Sequence, residues 1–345
     1  MDRLQVTPFD GTLDQWRERA LQLEAEVGKA VVGQAEPIRL ITIAVFARGH
    51  VLLEGDVGVG KTTLLRAFAR AIGGAFARVE GTVDMMPADL IYHTYLGEDG
   101  RPRVDPGPLL QHGEALSTFF FNEINRTRPQ VQSLLLRAMA ERALNAFNRE
   151  HRLPHLLVFA DRNRVEREET FELAAAARDR FLFEVGMEVP ADPGVQLALM
   201  VDPRFHDADA LLEQVEPALL PYRQLDAVAR AIQAQVQAAP ALQQYLHRLW
   251  QATREPQQQG ITLPGVDMAR LVAAGASPRA MSMLARAARV RAWLEGRDYA
   301  VPADVQAVFV PALAHRIHFT PVYEMRRAEI APLLVQQILE NVPAP

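Results

Sequence analysis

The first half of the chain alternates short apolar runs with longer amphipathic segments. The apolar runs predict buried strands at residues 50–54, 75–80, 117–121, 156–160 and 181–187. Apolar residues at helical spacing predict a helix within residues 1–30 and further helices at about 36–48, 61–72 and 129–141. Continuous apolar strands separated by helices are typical of a parallel sheet covered on both faces.

Two segments interrupt this alternation with turn-forming centres. Residues 92–104 turn at Gly97 to Gly100, and residues 144–153 turn near Asn148. Both have strand-like flanks, so they predict β-hairpins that project from the sheet as insertions.

The pattern changes after Pro190. Helical spacing predominates there, and helices are predicted at residues 240–252, 278–294, 302–317 and 324–341, with an exposed loop at about 255–264. The chain is therefore expected to form two domains: an α/β domain over residues 1–190 that includes the N-terminal helix, and a smaller all-α domain over residues 191–345.

Composition narrows the class of protein. The 345 residues carry a formal net charge of −5 and no cysteine, so disulfides and thiolate metal sites are excluded. The longest apolar run is too short to cross a bilayer. The first residues lack the basic stretch and apolar core of a secretory signal. We expect a cytoplasmic protein with no membrane span, and the mixed charges do not suggest a nucleic-acid partner.

A glycine-rich turn is the strongest chemical signal. Residues 55–62 read Gly-Asp-Val-Gly-Val-Gly-Lys-Thr and fit G-x-x-x-x-G-K-[ST] between a predicted strand and a predicted helix. In such a loop, backbone N–H groups and a helix N-terminus bind phosphate oxygens. Lys61 is expected to reach the β- and γ-phosphates, and Thr62 to ligate Mg²⁺. The predicted nucleotide-binding residues are Gly55, Asp56, Val57, Gly58, Val59, Gly60, Lys61, Thr62 and Thr63. The sequence thus predicts that ATP and Mg²⁺ are the cofactors.

The strand predicted at 117–121 ends in Asn122 and Glu123. P-loop enzymes place an acid at the first position, where it helps to hold Mg²⁺. Glu123 is a candidate for the base that polarises the attacking water. Asn122 can still offer an oxygen toward the metal, but it lacks the full charge that a hard cation favours. Slow hydrolysis is therefore one expectation, and Thr62 and Asn122 are the predicted metal-binding side chains.

Four further polar residues are candidates for the site. Asn163 follows the strand predicted at 156–160, where a side chain can contact the γ-phosphate or orient water. Arg180 begins the next strand and is a candidate arginine finger for a neighbouring subunit. Arg279 lies in the first turn of a predicted helix and can reach back to the nucleotide. Arg126 is a weaker candidate for an inter-subunit role. As isolated residues, all four also fit ordinary surface or turn positions.

Taken together, these segments resemble the MoxR family of AAA+ ATPases over nearly the whole chain. The matching segments are residues 31–34 (Val-Val-Gly-Gln), 50–55 (His-Val-Leu-Leu-Glu-Gly), 123–126 (Glu-Ile-Asn-Arg), 179–182 (Asp-Arg-Phe-Leu), 275–280 (Gly-Ala-Ser-Pro-Arg-Ala), 294–299 and 315–317, with Glu166, Thr170 and Phe171. The resemblance implies an AAA+ P-loop domain and a helical lid. It further implies catalytic roles for Glu123, Asn163, Arg180 and Arg279.

The resemblance also implies an assembly and partners. Proteins of this family form rings, usually hexamers, with nucleotide at subunit boundaries. They resemble chaperones that remodel a client or insert a metal or cofactor, and they commonly act with a protein that carries a VWA domain. No VWA domain is fused to this chain, so such a partner is expected to act in trans.

The chain departs from the family pattern at several points. Asn122 replaces Asp, residues 161–164 read Asp-Arg-Asn-Arg where the family reads Thr-Gln-Asn-Pro, four alanines occupy 174–177, and the segment 257–274 is longer than usual. Three functions stay open. The first is an ATP-driven remodelling protein. The second is an ATP-binding scaffold that barely hydrolyses, which Asn122 favours. The third is a DNA-directed AAA+ protein, which the balanced charge disfavours.

Overall fold

The structure is a computed structural model that describes residues 9–163 and 171–345. Its centre is a five-stranded, fully parallel sheet in the order β2-β5-β8-β1-β9. These strands are β1 (His50–Gly55), β2 (Ala75–Glu80), β5 (Leu116–Asn122), β8 (Leu157–Asn163) and β9 (Phe181–Met187). The predicted parallel sheet is confirmed. Four strands lie within one residue of their expected bounds, and β8 ends three residues beyond its expected end.

The described helices cover both faces of the sheet and form most of the C-terminal region. They are α1 (Leu13–Ala30), α2 (Ala35–Phe46), α3 (Lys61–Ile72), α4 (Pro129–Glu141), α5 (Ala175–Arg178), α6 (Pro193–Val201), α7 (Ala208–Glu213), α8 (Leu225–Gln235), α9 (Pro240–Arg254), α10 (Pro278–Leu294), α11 (Pro302–Leu313), α12 (Pro321–Glu324) and α13 (Arg327–Asn341). The helix predicted at 302–317 ends at Leu313 and continues as a 3-10 turn, and the one predicted at 324–341 begins at Arg327.

Each strand alternates its side chains between two hydrophobic cores. Phe120 and Phe159 point to the face covered by α3, where Phe159 meets Phe68 at a ring-centroid distance of 6.4 Å. Phe119 and Val158 point to the opposite face, which α4 covers. Because the strands are parallel, their carboxyl ends meet at one edge, and Gly55 lies beside Asn163 there.

The two predicted hairpins are confirmed. Strands β3 (Tyr92–Leu96) and β4 (Pro102–Pro106) pair antiparallel, as do β6 (Ala143–Ala146) and β7 (Arg149–Arg152). The second hairpin turns through Phe147 and Asn148, whose φ angles are 53° and 57°. Neither hairpin hydrogen-bonds to the central sheet as an additional strand, so both are separate two-stranded sheets.

The C-terminal region is helical apart from one short sheet. Strand β10 (Val272–Ala274) pairs antiparallel with β11 (His318–Phe319). Strands of two or three residues are too short to leave a period-two pattern, which explains why the sequence predicted helices alone. The region also shares a core with the first helices: the Phe46 ring packs against Trp293 at 5.0 Å and against Trp16 at 6.4 Å. The predicted division of the chain into two domains at residues 190/191 therefore stays a prediction.

Within residues 9–163 and 171–345, none of the helices combines the length and apolar character that crossing a bilayer requires.

A buried carboxylate fixes the start of α11. Asp304 is 1% exposed and accepts hydrogen bonds from both terminal nitrogens of Arg297, at 2.7 and 2.6 Å, and from the Val301 N–H at 2.8 Å. Asp304→Asn should destabilise the fold by about 2 kcal/mol, because the charge-assisted hydrogen bonds from the partly exposed Arg297 guanidinium are lost. Thermal unfolding should show a midpoint several degrees lower, and an unchanged midpoint would contradict this role.

Candidate nucleotide site

The glycine-rich turn after β1 forms an open loop at the carboxyl edge of the sheet. Gly58 and Gly60 have φ angles of 82° and 91°, a conformation that side chains rarely adopt. A Cβ added at either residue would meet no atom within 4 Å, so this side of the loop faces open space. Gly55 is constrained differently, because a Cβ there would lie 2.4 Å from the carbonyl oxygen of Met187.

Helix α3 begins directly at this loop. No side chain caps its first turn, and no acidic residue lies in that turn. Its N–H groups and dipole therefore favour an anion in front of the helix. Thr62 and Thr63 occupy the first turn and are half-buried. This arrangement fits a nucleoside triphosphate with its magnesium ion, because the loop is open, the helix is uncapped and Thr62 lies in its first turn.

Lys61 links the loop to the neighbouring strand. Its ammonium donates to the carbonyl oxygens of Gly55 (2.8 Å) and Asp56 (2.9 Å) and to Asn163 Oδ1 (2.8 Å). The side chain is 6% exposed, so its charge is held inside the site rather than in bulk water. A buried ammonium with this orientation is suited to phosphate oxygens at the loop.

Glu123 lies next to this network and is held at three points. Its own N–H donates to Asp161 Oδ1 at 2.6 Å, which fixes a backbone with a φ of 54°. Its Oε1 accepts from Asn163 Nδ2 at 3.2 Å, and its Oε2 accepts from Arg126 Nη1 at 2.8 Å. A left-handed conformation in a residue other than glycine costs free energy, and such positions cluster at functional sites.

Asn122 contacts a carboxylate that the sequence analysis did not identify as part of the site. The hydrogen-bond network orients its amide: with the nitrogen turned toward Asp161, it donates to both carboxylate oxygens at 3.0 Å. Asp161 is 2% exposed and Asn122 is 8% exposed. Burial raises the pKa of the Asp161 carboxyl to about 6.

Strand alternation was the signal that could have revealed Asp161. Asp161 lies two residues after Phe159 on β8, and Asn122 lies two residues after Phe120 on β5, so both point to the α3 face. These strands are neighbours, with Phe121 paired to Ala160 just before the two polar residues. The pairing of β5 with β8 depends on the fold and could not be read from residue spacing.

Arg180 and Arg279 lie at the opposite edge of the sheet. Phe181, the residue after Arg180, pairs with His50 at the amino end of β1. At roughly 3.3 Å per residue, the five steps of β1 place Arg180 about 16 Å from the loop that follows this strand. Its Nε donates to the Leu136 carbonyl oxygen at 3.2 Å.

Arg279 is held beside Arg180 rather than beside the glycine-rich loop. Its Nη1 pairs with Asp179 Oδ2 at 3.2 Å, and Ser277 donates to the other Asp179 oxygen at 2.8 Å. The structure therefore brings Lys61, Asn163 and Glu123 together. It places Arg279 where it contacts the residue that precedes Arg180, not where it reaches back to its own loop.

Three residues used in the comparison with the family pattern lie outside the described residues: Arg164, Glu166 and Thr170.

Comparisons with known proteins match both halves of the chain. Residues 50–183 match the ATPase family associated with various cellular activities (AAA), and residues 267–338 match the AAA lid domain. The chain is 64% identical to Protein MoxR of Methylorubrum extorquens, with 99% of each chain covered. It is 54% identical to Protein MoxR of Paracoccus denitrificans, over 98% of this chain and 99% of that protein.

More distant relatives extend the same similarity. The chain is 33% identical to Chaperone MoxR1 of Mycobacterium tuberculosis, over 93% of this chain and 81% of that protein. A crystal structure of a protein from Cytophaga hutchinsonii superposes with a TM-score of 0.81 at 29% identity, covering 96% of this chain and 97% of the other.

Proposed function

Because the chain belongs to the MoxR family of AAA+ ATPases, we propose that it binds and hydrolyses ATP to remodel or mature a client protein. The observation that carries this proposal is the continuous contact from Lys61 through Asn163 to Glu123. One hydrogen-bonded chain joins the residue suited to phosphate with the residue suited to activating water. Hydrolysis requires both groups to act on one nucleotide.

In the proposed reaction, the loop at residues 55–60 and the α3 N-terminus bind the phosphates, with Lys61 on the β- and γ-oxygens. Thr62 and Asn122 would hold Mg²⁺, which neutralises charge on the phosphate oxygens when bound. Glu123 accepts a proton from the attacking water, at the carboxylate that Asn163 orients. Arg126 pairs with the other oxygen of that carboxylate and restricts its rotation.

The site is proposed to be completed by a second copy of the chain. Arg180 lies about 16 Å from the glycine-rich loop of its own subunit, by the strand rise of roughly 3.3 Å per residue. A guanidinium there can stabilise phosphoryl charge only on a neighbour's nucleotide. Arg279 shares that edge through Asp179. This head-to-tail use of two different surfaces generates a ring, which we propose is a hexamer.

The cellular role is inferred from the relatives. Chaperone is part of the name of one of them, the MoxR1 protein of Mycobacterium tuberculosis. We propose a chaperone-like action in the cytoplasm, together with a VWA-domain partner in trans. Turnover would shift the lid against the α/β domain and move the two hairpins.

The alternative is a scaffold that binds ATP with little hydrolysis. Asn122 favours it, because an amide contributes no charge to the metal. Under this alternative the ring assembles on nucleotide and presents a surface, and Glu123 is not used in turnover. The two functions predict different rates of ATP hydrolysis for the unmodified protein. Both require Lys61 for ATP binding.

The proposal is tested by comparing the two lysines of the chain. Lys61→Ala should weaken ATP binding about tenfold or more, because it removes a charge-assisted contact worth roughly 1.5–3 kcal/mol. Lys29→Ala is the control, since Lys29 lies on α1, pairs with Glu26 there and has a half-exposed side chain. Calorimetric titration with ATP measures both. Equal ATP affinity in the two variants would contradict the proposed site.

A further inference from the structure

We propose that Asp161 is a positioning residue that supplies, through Asn122, the negative charge for Mg²⁺ that the end of β5 lacks. The inference rests on the proposed function of this site. A P-loop enzyme ordinarily places an Asp at the end of this strand. In this chain the amide stands at that position, and the carboxylate stands on the next strand, in direct contact with it.

The geometry makes the two side chains one unit. The Asn122 amide nitrogen lies 3.0 Å from both oxygens of Asp161, so the pair forms a forked contact. Its nitrogen faces the carboxylate, so its oxygen is directed away from it. Both side chains point to the face of the sheet that carries α3, whose first turn holds Thr62. The pair therefore lies on the same face of the sheet as Thr62, whose hydroxyl is the proposed metal ligand.

The electrostatics explain why a carboxylate is retained here. Asp161 is 2% exposed, and burying a charge is costly unless it is compensated. The hydrogen bond from the Glu123 N–H at 2.6 Å compensates part of this cost. A divalent cation held by Asn122 would compensate more, since a charge that polarises the amide makes its oxygen a stronger acceptor and ligand.

The competing explanation is structural. Asp161 could serve only to accept the hydrogen bond from the Glu123 backbone. Asp161→Asn separates the two explanations, because the new amide oxygen still accepts from Glu123 while the charge is lost. If the role were only structural, this substitution would leave the binding of Mg²⁺ unchanged.

The contact between Asn122 and Asp161 also changes the expected effect of Asn122→Asp on Mg²⁺ binding. Alone, that substitution places a second carboxylate about 3.0 Å from the first, and like charges at this distance are unfavourable. The exchange variant, Asn122→Asp with Asp161→Asn, avoids this. The amide then lies at position 161, where its oxygen can accept from Glu123 and its nitrogen can donate to the carboxylate at position 122.

The test is the dependence of nucleotide affinity on Mg²⁺, measured by titration with a fluorescent, non-hydrolysable ATP analogue. The quantity compared is the Kd in EDTA divided by the Kd with Mg²⁺. Asp161→Asn should lower this ratio by about tenfold to a hundredfold, as is typical when an outer partner of a metal ligand is removed. The exchange variant should restore most of it. Asp304→Asn is the matched control: it removes an equally buried carboxylate outside the site and should leave the ratio unchanged.

Each result has one meaning. An unmodified protein that does not bind the analogue would overturn the proposed function itself. A clear ratio in the unmodified protein that Asp161→Asn leaves intact would overturn only the role of Asp161. The same conclusion follows if the exchange variant fails to restore the ratio, or if Asp304→Asn lowers it as much as Asp161→Asn does.

Discussion

Replacing Arg180 by alanine is expected to lower kcat for ATP hydrolysis about 10³-fold or more, while ATP affinity changes little. The reason is positional. The guanidinium lies at the amino edge of the sheet, so it contributes nothing to the phosphates of its own subunit. In the proposed ring, it would stabilise charge that develops on the neighbour's phosphoryl group in the transition state. A contact that forms only in the transition state affects kcat and leaves the affinity for ATP unchanged.

Steady-state hydrolysis and analogue binding measure the two halves of this prediction. Arg230→Ala is a suitable control, because Arg230 forms a surface ion pair with Asp226 on α8. Size-exclusion chromatography shows whether the Arg180 variant still assembles. If the Arg180→Ala protein assembles and still hydrolyses ATP at the unmodified rate, Arg180 is not the arginine finger.

Glu123→Gln should abolish most turnover and preserve nucleotide binding. A glutamine keeps the shape of the side chain and can still contact Asn163, but it cannot accept a proton from water. Loss of a general base typically costs about 10²- to 10⁴-fold in rate. Single-turnover hydrolysis with bound ATP is the appropriate measurement, since it excludes effects on product release.

The control for this variant is Glu141→Gln, which removes an exposed carboxylate at the end of α4. It should hydrolyse ATP at the unmodified rate. If Glu123→Gln hydrolyses ATP as fast as Glu141→Gln, Glu123 is not the base. If the unmodified protein and Glu123→Gln are both inactive despite tight ATP binding, the scaffold function is favoured.

Local patterns predicted the elements of the nucleotide site well. Helix α3 has the predicted bounds, because Gly60 and Lys61 mark its start and Gly73 follows its end. The three central strands, β1, β5 and β8, were recognisable since each contains a continuous apolar run that is buried on both faces. Lys61, Asn163 and Glu123 were found from their places after these strands, and the structure joins them by hydrogen bonds.

The features that the sequence did not reveal depend on tertiary packing. Helix α6 is apolar at most of its positions although none of its residues is buried, so no contrast between an apolar and a polar face marks it in the sequence. The contact of Asp161 with Asn122 depends on the pairing of β8 with β5. Arg279 was expected near its own nucleotide, but the docking of the lid against Asp179 decides where it lies. Such placements are set by contacts between distant segments, which no local pattern encodes.

The most direct test of a site shared between copies is to mix two inactive variants. Arg180→Ala keeps an intact loop and base, and Glu123→Gln keeps an intact finger. At equal amounts in randomly mixed rings, about a quarter of the boundaries would join an intact base to an intact finger. The account predicts that ATP hydrolysis by the mixture rises well above that of either variant alone, toward about this fraction of the unmodified rate. A mixture no more active than its separate components, although it forms mixed assemblies, would contradict a catalytic site completed by the neighbouring subunit.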